Sequence, residues 1–318
     1  MKYSGIGGQA VIEGIMMMKG EDYAVAVRRP DKEIEVKKDT YQSITKKAKI
    51  LQLPFMRGVF RFADSMIIGM RSLSYSASFF EDDEDAEPGK FEQLLDRVFG
   101  EKLESAIMAA VLVISFILAI GIFMLLPLGI ANLFKGVITS DHLMAVLEGV
   151  IRIAIFIIYI KLVSRMEDIR RTFMYHGAEH KCINCVEHGH PLTVKYVRES
   201  SKEHKRCGTS FILIVMVISI LMFMVIRVDT IWMRILSRII LVPVIAGISY
   251  EVLQCAGRSN SKFMDLVSRP GMWMQGLTTK EPDDSMIEVA IAATEAVFDW
   301  REYLTENFPG WEKQLEES

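Results

Sequence analysis

The chain has 318 residues, 51% of them hydrophobic, and a formal net charge of -3. Apolar residues at this level, gathered into long runs rather than spaced along amphipathic elements, mark a membrane protein and not a soluble domain of this length. The near-neutral charge excludes a nucleic-acid binder, because a phosphate partner demands a basic face.

Residues 1–20 read MKYSGIGGQAVIEGIMMMKG. No basic stretch followed by an apolar core begins the chain, so no cleavable signal peptide is expected and the mature chain is expected to start at Met1. The Gly7–Gly8 pair suits a tight turn or a close backbone approach beside a short buried strand. Met16, Met17 and Met18 invite a copper site. Methionine is more often the filler of irregular apolar space, however, and a thioether site needs convergent ligands. From Tyr23 to Val36, apolar-polar alternation about a polar turn at Pro30–Glu33 predicts a β-hairpin and a small N-terminal sheet.

The segment from Leu51 to Phe80 mixes apolar clusters with Arg57, Arg61, Asp64 and Arg71. It is too charged for a clean span and suits either a helix in the membrane interface or beside the bundle, or an amphipathic helix against the small sheet. Glu81–Glu87 is an acidic linker followed by Pro88 and Gly89.

Four apolar runs follow that are long enough to cross a bilayer: 106–134, 143–163, 211–226 and 235–255. Pro127 and Gly129 are placed to kink the far end of the first. The second contains Glu148 and Arg152, four apart, which reads as a structural ion pair turned toward the bundle and, secondarily, as an ion-handling site.

Between the second and third runs, Met174–Thr209 holds five of the six histidines and three of the four cysteines. His176, Glu179 and His180 form HxxEH. On a helix this spacing puts both imidazoles on one face, and in the inverzincin pattern two such histidines bind zinc while the Glu acts as general base. Overlapping it, Cys182 and Cys185 form CxxC, and His204 and Cys207 form HxxC, a separation that fits a structural zinc site built of two knuckles. His188 and His190, in a Gly- and Pro-containing turn, are expected to be exposed. Cys255, at the end of an apolar helix, is expected to be a buried thiol.

After the fourth run, Pro270 and Gly271 suggest a turn, and Trp273 and Met274 suit a membrane interface. Pro282 and Asp283 then begin a helix whose Met286, Val289, Ala290, Ala293 and Val297 share one face, a docking element. Nine Lys and Arg residues lie between Ser164 and Gly208, whereas the connection between the first two runs carries only Lys135. The central segment and both termini are therefore expected to be cytoplasmic, where thiols stay reduced. The expected fold is a mainly α membrane protein with about four transmembrane helices, a small N-terminal β-containing cytoplasmic part and a cytoplasmic metal-binding loop. Its segments are 1–50 (β-hairpin), 51–105 (interfacial or amphipathic helix and acidic linker), 106–163 (first two spans), 164–210 (His/Cys loop), 211–255 (last two spans) and 256–318 (tail with amphipathic helix).

Three separated blocks, GGQAVIEGIMM, YHGAEHKCINC with HKRCGTSF, and PGMWMQGLTTKEPDDSMIEVAIAA, resemble the bacterial YqhQ-like family over essentially the whole chain. That is a membrane family of unknown function often labelled a predicted metal-dependent enzyme. The resemblance implies a multi-span protein with a metal site at the positions of His176, His180, Cys185, His204 and Cys207, while the position of Cys182 is not reliably Cys. A single site drawing on His176, His180 and members of the Cys185, His204 and Cys207 group is then expected.

Two functions follow from these readings. One is a membrane zinc hydrolase, with protease-like chemistry as one form of it, Glu179 as base, three protein ligands, and Glu251, Glu187 or Glu203 as a further candidate ligand. The other is a zinc-stabilised scaffold or adaptor for protein partners, in which a closed site contributes folding energy without catalysis.

Overall fold

The computed structural model describes residues 2–80, 103–226, 230–258 and 261–316. The acidic stretch 81–87 lies outside them. The chain forms two compact units: residues 1–80, 160–222 and 227–318 in one, and residues 81–159 with 223–226 in the other.

The first unit is organised by an antiparallel meander, β1 (Ile6–Val11), β2 (Gly14–Lys19), β3 (Asp22–Arg28) and β4 (Ile34–Thr40), in the order β1-β2-β3-β4. The expected Tyr23–Val36 hairpin is β3 and β4, and the methionine run is the middle of β2. Consecutive strand residues point to opposite faces. Ile15, Met17 and Ala26 accordingly join one apolar core and Met16, Val25 and Val27 the other, so the three methionines do not converge on one ion.

Each face is covered by a helix. On the first lie α5 (Glu167–Glu187) and α10 (Asp284–Val297), whose Met286, Val289, Ala290 and Ala293 are buried as their spacing predicts. On the second lies α1 (Met56–Ala77), through Ile68. The helix packs both against the sheet and beside one of the long apolar helices. Its C-terminal half faces the sheet, where Ser76 Oγ accepts from the Ile12 amide at 3.2 Å. Its N-terminal half lies on α8 (Ile231–Arg258), where the Arg57 guanidinium grips the Glu251 carboxylate at 2.5 and 2.7 Å. A stripe of Phe62, Met66, Met70 and Leu73 on α1 stays exposed.

Among the described residues, four helices are long and apolar enough to cross a membrane: 113–132, 141–163, 208–225 and 236–256. They fall on the four runs expected from the sequence. Cys255 is exposed on the last of them rather than buried, because this span turns its apolar flank outward.

The second unit contains α2 (Leu103–Ile120), a wide π turn (Gly121–Leu125), α3 (Leu126–Asn132) and most of α4 (Asp141–Val163). Pro127 has no N–H and cannot satisfy the carbonyl of Phe123 four residues earlier. Arg152 Nε on α4 donates to that carbonyl at 3.1 Å, and Arg152 is paired with Glu148 at 2.7 Å. In hydrocarbon a freed carbonyl needs such a partner. The charged pair is explained by the proline, as a structural device.

Candidate metal centre

The HxxEH sequence lies on α5, which is helical from Glu167 to Glu187 and buried from Gly177 onward. The central segment expected as a loop is thus a helix, α5, followed by the short α6 (Val194–Glu199) and a strap from Ser200 to Cys207. The reason is tertiary: α5 is sandwiched by β1 and α10.

The imidazole rings of His176 and His180 lie 4.4 Å apart. His176 Nδ1 is 3.0 Å from the carbonyl oxygen of Thr278, and His180 Nδ1 is 2.7 Å from that of Lys202. A carbonyl only accepts, so both protons sit on Nδ1 and both Nε2 lone pairs are left for a ligand. Cys207 Sγ stands 3.2 Å from His176 Nε2. The donor atoms of His176, His180 and Cys207 all fall within 4.8 Å of one another.

One stripe of α5 positions the strap that delivers Cys207. Lys181 Nζ donates to the carbonyls of Arg198 and Ser200 at 2.7 and 2.9 Å, and Asn184 Nδ2 to those of Ser201 and Glu203 at 2.6 and 2.9 Å. Glu187 takes the Arg206 guanidinium and the amide and hydroxyl of Ser4. Residues 180, 184 and 187 share a helix face by their spacing of four and three. From the other side, Gln275 on α9 (Lys262–Thr278) clasps the His204 backbone, accepting from its N–H and donating to its carbonyl, both at 2.8 Å. Cys207 is the last residue before α7 (Gly208–Val225), whose first turn points the Thr209 amide at Sγ across 3.4 Å.

Two glycines make this crossing possible. A Cβ on Gly177 would collide with the Lys280 carbonyl oxygen, so only glycine lets the tail cross α5 and set the Thr278 carbonyl on His176. A Cβ on Gly8 would stand 2.6 Å from Met17 Sδ and 3.0 Å from the Glu179 carboxyl carbon. β1 can therefore lie directly on Glu179.

Glu179 is 5% exposed. Burial pushes its pKa up to about 7, against the opposing pull of His176 and of the Gly8 amide. Its Oε2 has no hydrogen-bond partner among the described residues.

The other candidates are placed elsewhere. Cys185 turns into the apolar core, where its thiol donates to the Pro191 carbonyl at 3.3 Å and burial pushes its pKa up to about 12. Burial likewise holds the Cys182 thiol well above its ordinary value. The two-knuckle arrangement is therefore not formed. His204 has its ring 5.8 Å from that of His180 but directs Nε2 to Glu187 Oε2 at 3.5 Å. Glu251 is engaged by Arg57, Glu187 by Arg206, and Glu203 is exposed. His188 is exposed as expected, whereas His190 is partly covered, stacked on Tyr196 and bonded to Gln314 at 2.8 Å. Sequence reasoning missed Gln275 and the carbonyls of Thr278 and Lys202. A backbone carbonyl carries no residue signature, and only Gly8 and Gly177 hinted at close packing there.

The chain is 34% identical over 286 residues, 90% of its own length and 89% of the relative's, to the "Uncharacterized protein YqhQ" of Bacillus subtilis (strain 168). No solved structure matches it. The family model described as "Protein of unknown function (DUF1385)" matches residues 53–300, so the chain belongs to the DUF1385 family.

Proposed function

We propose that this protein is a membrane-embedded, zinc-dependent hydrolase with its site at the cytoplasmic face. One observation carries the reading: a donor atom from each of His176, His180 and Cys207 converges within 4.8 Å, on a helix that also carries the buried Glu179, one oxygen of which has no partner among the described residues. The donor set fits zinc, which takes imidazole and thiolate together, and three protein donors leave a fourth position of a tetrahedron unclaimed. His176, His180 and Cys207 would hold the ion.

A bound zinc ion supplies Lewis-acid polarisation of a carbonyl and of water. The chain's own residues do the rest. Thr278 and Lys202 fix the tautomers of the two histidines, and Gln275 and Asn184 fix the strap carrying Cys207. Glu179 is placed to take a proton from an attacking water and return it to a leaving amine or alcohol, because its orphan oxygen sits in a dry setting where a carboxyl and a carboxylate are close in energy. The basic excess between Ser164 and Gly208 supports the cytoplasmic side for this segment. The N-terminal sheet and C-terminal helices, in the same compact unit, go with it.

The alternative, a zinc-stabilised scaffold, would draw on His204 as a fourth ligand. His204 is not among the residues whose donor atoms gather within 4.8 Å, so the geometry favours the three-ligand site.

Glu179→Gln separates the two readings. It keeps the size of the side chain and removes the base, so abundance and zinc content are expected to stay at wild-type levels while the protein fails to complement a deletion strain. A variant that is abundant, zinc-loaded and fully functional would overturn the hydrolase.

A further inference from the structure

The helix α9 joins the membrane-spanning part of the first unit to the metal centre, and its two long faces are chemically opposite. One face carries Ser268, Gly271, Met274, Gln275 and Thr278, all buried. Gly271 lies so close to Ser210 that a Cβ would meet Ser210 Oγ at 2.6 Å, and Gln275 Nε2 donates to the same oxygen at 2.9 Å. This contact explains why the expected turn at Pro270–Gly271 is not formed. Gly271 admits α7 with the helix continuing, and Pro270 sits on the exposed side, at the cost of one backbone hydrogen bond. The other face presents Phe263, Leu266 and Trp273, which are 70%, 60% and 59% exposed, with Pro270 between them. The spacing of three, four and three residues makes a single stripe.

Both ends of α9 are tied to one end of the spans. Its start follows α8, which ends at Arg258, by three residues, and its C-terminal half is bonded to the first turn of α7 at Ser210. α1 bridges the same two places, with Phe62 5.6 Å from Phe211 of α7 and Gly58 against Tyr250 of α8. The last turns of one span and the first turn of the other are therefore level. A helix of 17 residues pinned at that level runs about 25 Å along the membrane surface rather than across it.

From this placement we infer that α9 is an interfacial helix, with the Phe263, Leu266 and Trp273 stripe sunk into the headgroup and upper acyl region of a phospholipid bilayer. Tryptophan and phenylalanine are suited to that depth, and Lys262 and Arg269, also exposed, meet the phosphates. The occupant is lipid and not a second protein surface because the helix is pinned to the ends of α7 and α8, whose own outward residues, Val217 and Leu221 on one and Leu236 and Ile239 on the other, are apolar like the stripe. The same helix presents Gln275 and the Thr278 carbonyl to the strap and His176 from its opposite face. The metal centre is thereby held at the level of the headgroups, within reach of substrates that are themselves membrane-bound. The inference needs α7 and α8 to cross a bilayer and does not depend on catalysis.

The test is fluorescence quenching of the full-length protein in phosphatidylcholine vesicles. The chain has four tryptophans. Trp300 and Trp311 lie in the apolar core, and Trp232 is removed as Trp232→Phe, so the Trp273 signal is the difference between that variant and Trp232→Phe/Trp273→Phe. Trp273 is expected to lose most of its emission to lipid brominated near the headgroup, and little to lipid brominated near the chain end or to aqueous iodide. Should Trp273→Phe fold poorly, Leu266→Trp added to Trp232→Phe, with Trp273 intact, is an independent probe of the same stripe, read as the gain in emission and its quenching over Trp232→Phe alone. Quenching by iodide alone makes the face water-exposed, strongest quenching by deep bromines makes α9 transmembrane, and protection from all three quenchers means a protein covers it. Each of these outcomes overturns the proposal.

Discussion

Two regions of the molecule bury ionisable chemistry inside helices, and they treat it in opposite ways. On α4, Glu148 and Arg152 meet each other, and Arg152 reaches the carbonyl that Pro127 leaves unpaired. On α5, the histidine Nδ1 protons are taken by carbonyls, the donor atoms of His176, His180 and Cys207 gather within 4.8 Å of one another, and the buried Glu179 Oε2 has no partner among the described residues. Polar groups that answer one another hold a fold together. Polar groups held in place by other contacts, with their reactive atoms still to be answered, describe a binding site.

The largest expected effect tests that division on the α5 side. Cys207→Ala removes one of three donors, and bound zinc in purified protein is expected to fall to background, whereas Cys185→Ala, a core thiol, retains wild-type zinc. Equal zinc in both variants would return Cys185 to the site and remove the distinction drawn between the cysteines.

The next effect is on the α4 side. Arg152→Met removes the ion-pair partner of the buried Glu148 and the side-chain donor to the Phe123 carbonyl. Breaking a buried pair in this way costs on the order of 3–5 kcal/mol. Thermal unfolding in detergent should show that loss with zinc content unchanged, and Pro127→Ala, which restores the backbone donor, should recover part of it. A fully stable Arg152→Met protein would mean that the pair has no structural task.

Glu187 gives an effect of about 3 kcal/mol that is visible as a pH dependence. Burial pushes its pKa up, but His204, the Ser4 amide, Arg206 and the Ser4 hydroxyl together bring it down to about 2. A carboxyl depressed by folding stabilises the protein fully above its ordinary value near 4.5 and loses that contribution as pH falls toward 2. Wild type should therefore lose its advantage over Glu187→Gln across that window. A stability difference between the two proteins that stays constant from neutral pH down to 2 would show that the buried cluster does not depend on the charge.

The smallest effect sharpens how the site is assembled. Gly177→Ala forces the Lys280 carbonyl away from α5 and should cost about 1–3 kcal/mol, with weaker zinc binding because the Thr278 carbonyl moves with it. Unchanged zinc affinity in this variant would detach the tail from the metal centre.

Much of this was legible in advance, and the reasons are specific. The four spans were visible because a bilayer imposes length and apolarity on contiguous residues. The β3–β4 hairpin was visible in period-two alternation, and His176 with His180 in the spacing of one helical turn. The choice among Cys182, Cys185, His204 and Cys207 was not legible. All four are separated along the chain by distances that suit zinc, and what distinguishes them is which way α5 rolls, which turns Cys182 and Cys185 into the core, and how the strap is held, which brings Cys207 to His176. The turn expected at Pro270–Gly271 was misread for a similar reason: local propensity favours a break there, and the contact of Gly271 with Ser210 holds the helix intact.

The sequence by itself determined that this is a mainly α-helical chain with four helices long and apolar enough to cross a membrane, a small sheet and one segment rich in imidazole and thiol, because those properties are written in neighbouring residues. Only the tertiary structure decided that the N-terminal Gly8, the central His176 and His180, and the C-terminal Gln275 and Thr278 surround one point. Their meeting depends on close backbone approaches at two glycines and on carbonyls that any residue could supply. Neither leaves a periodic or compositional trace, so the site exists only once the sheet, the strap and the tail are packed on α5.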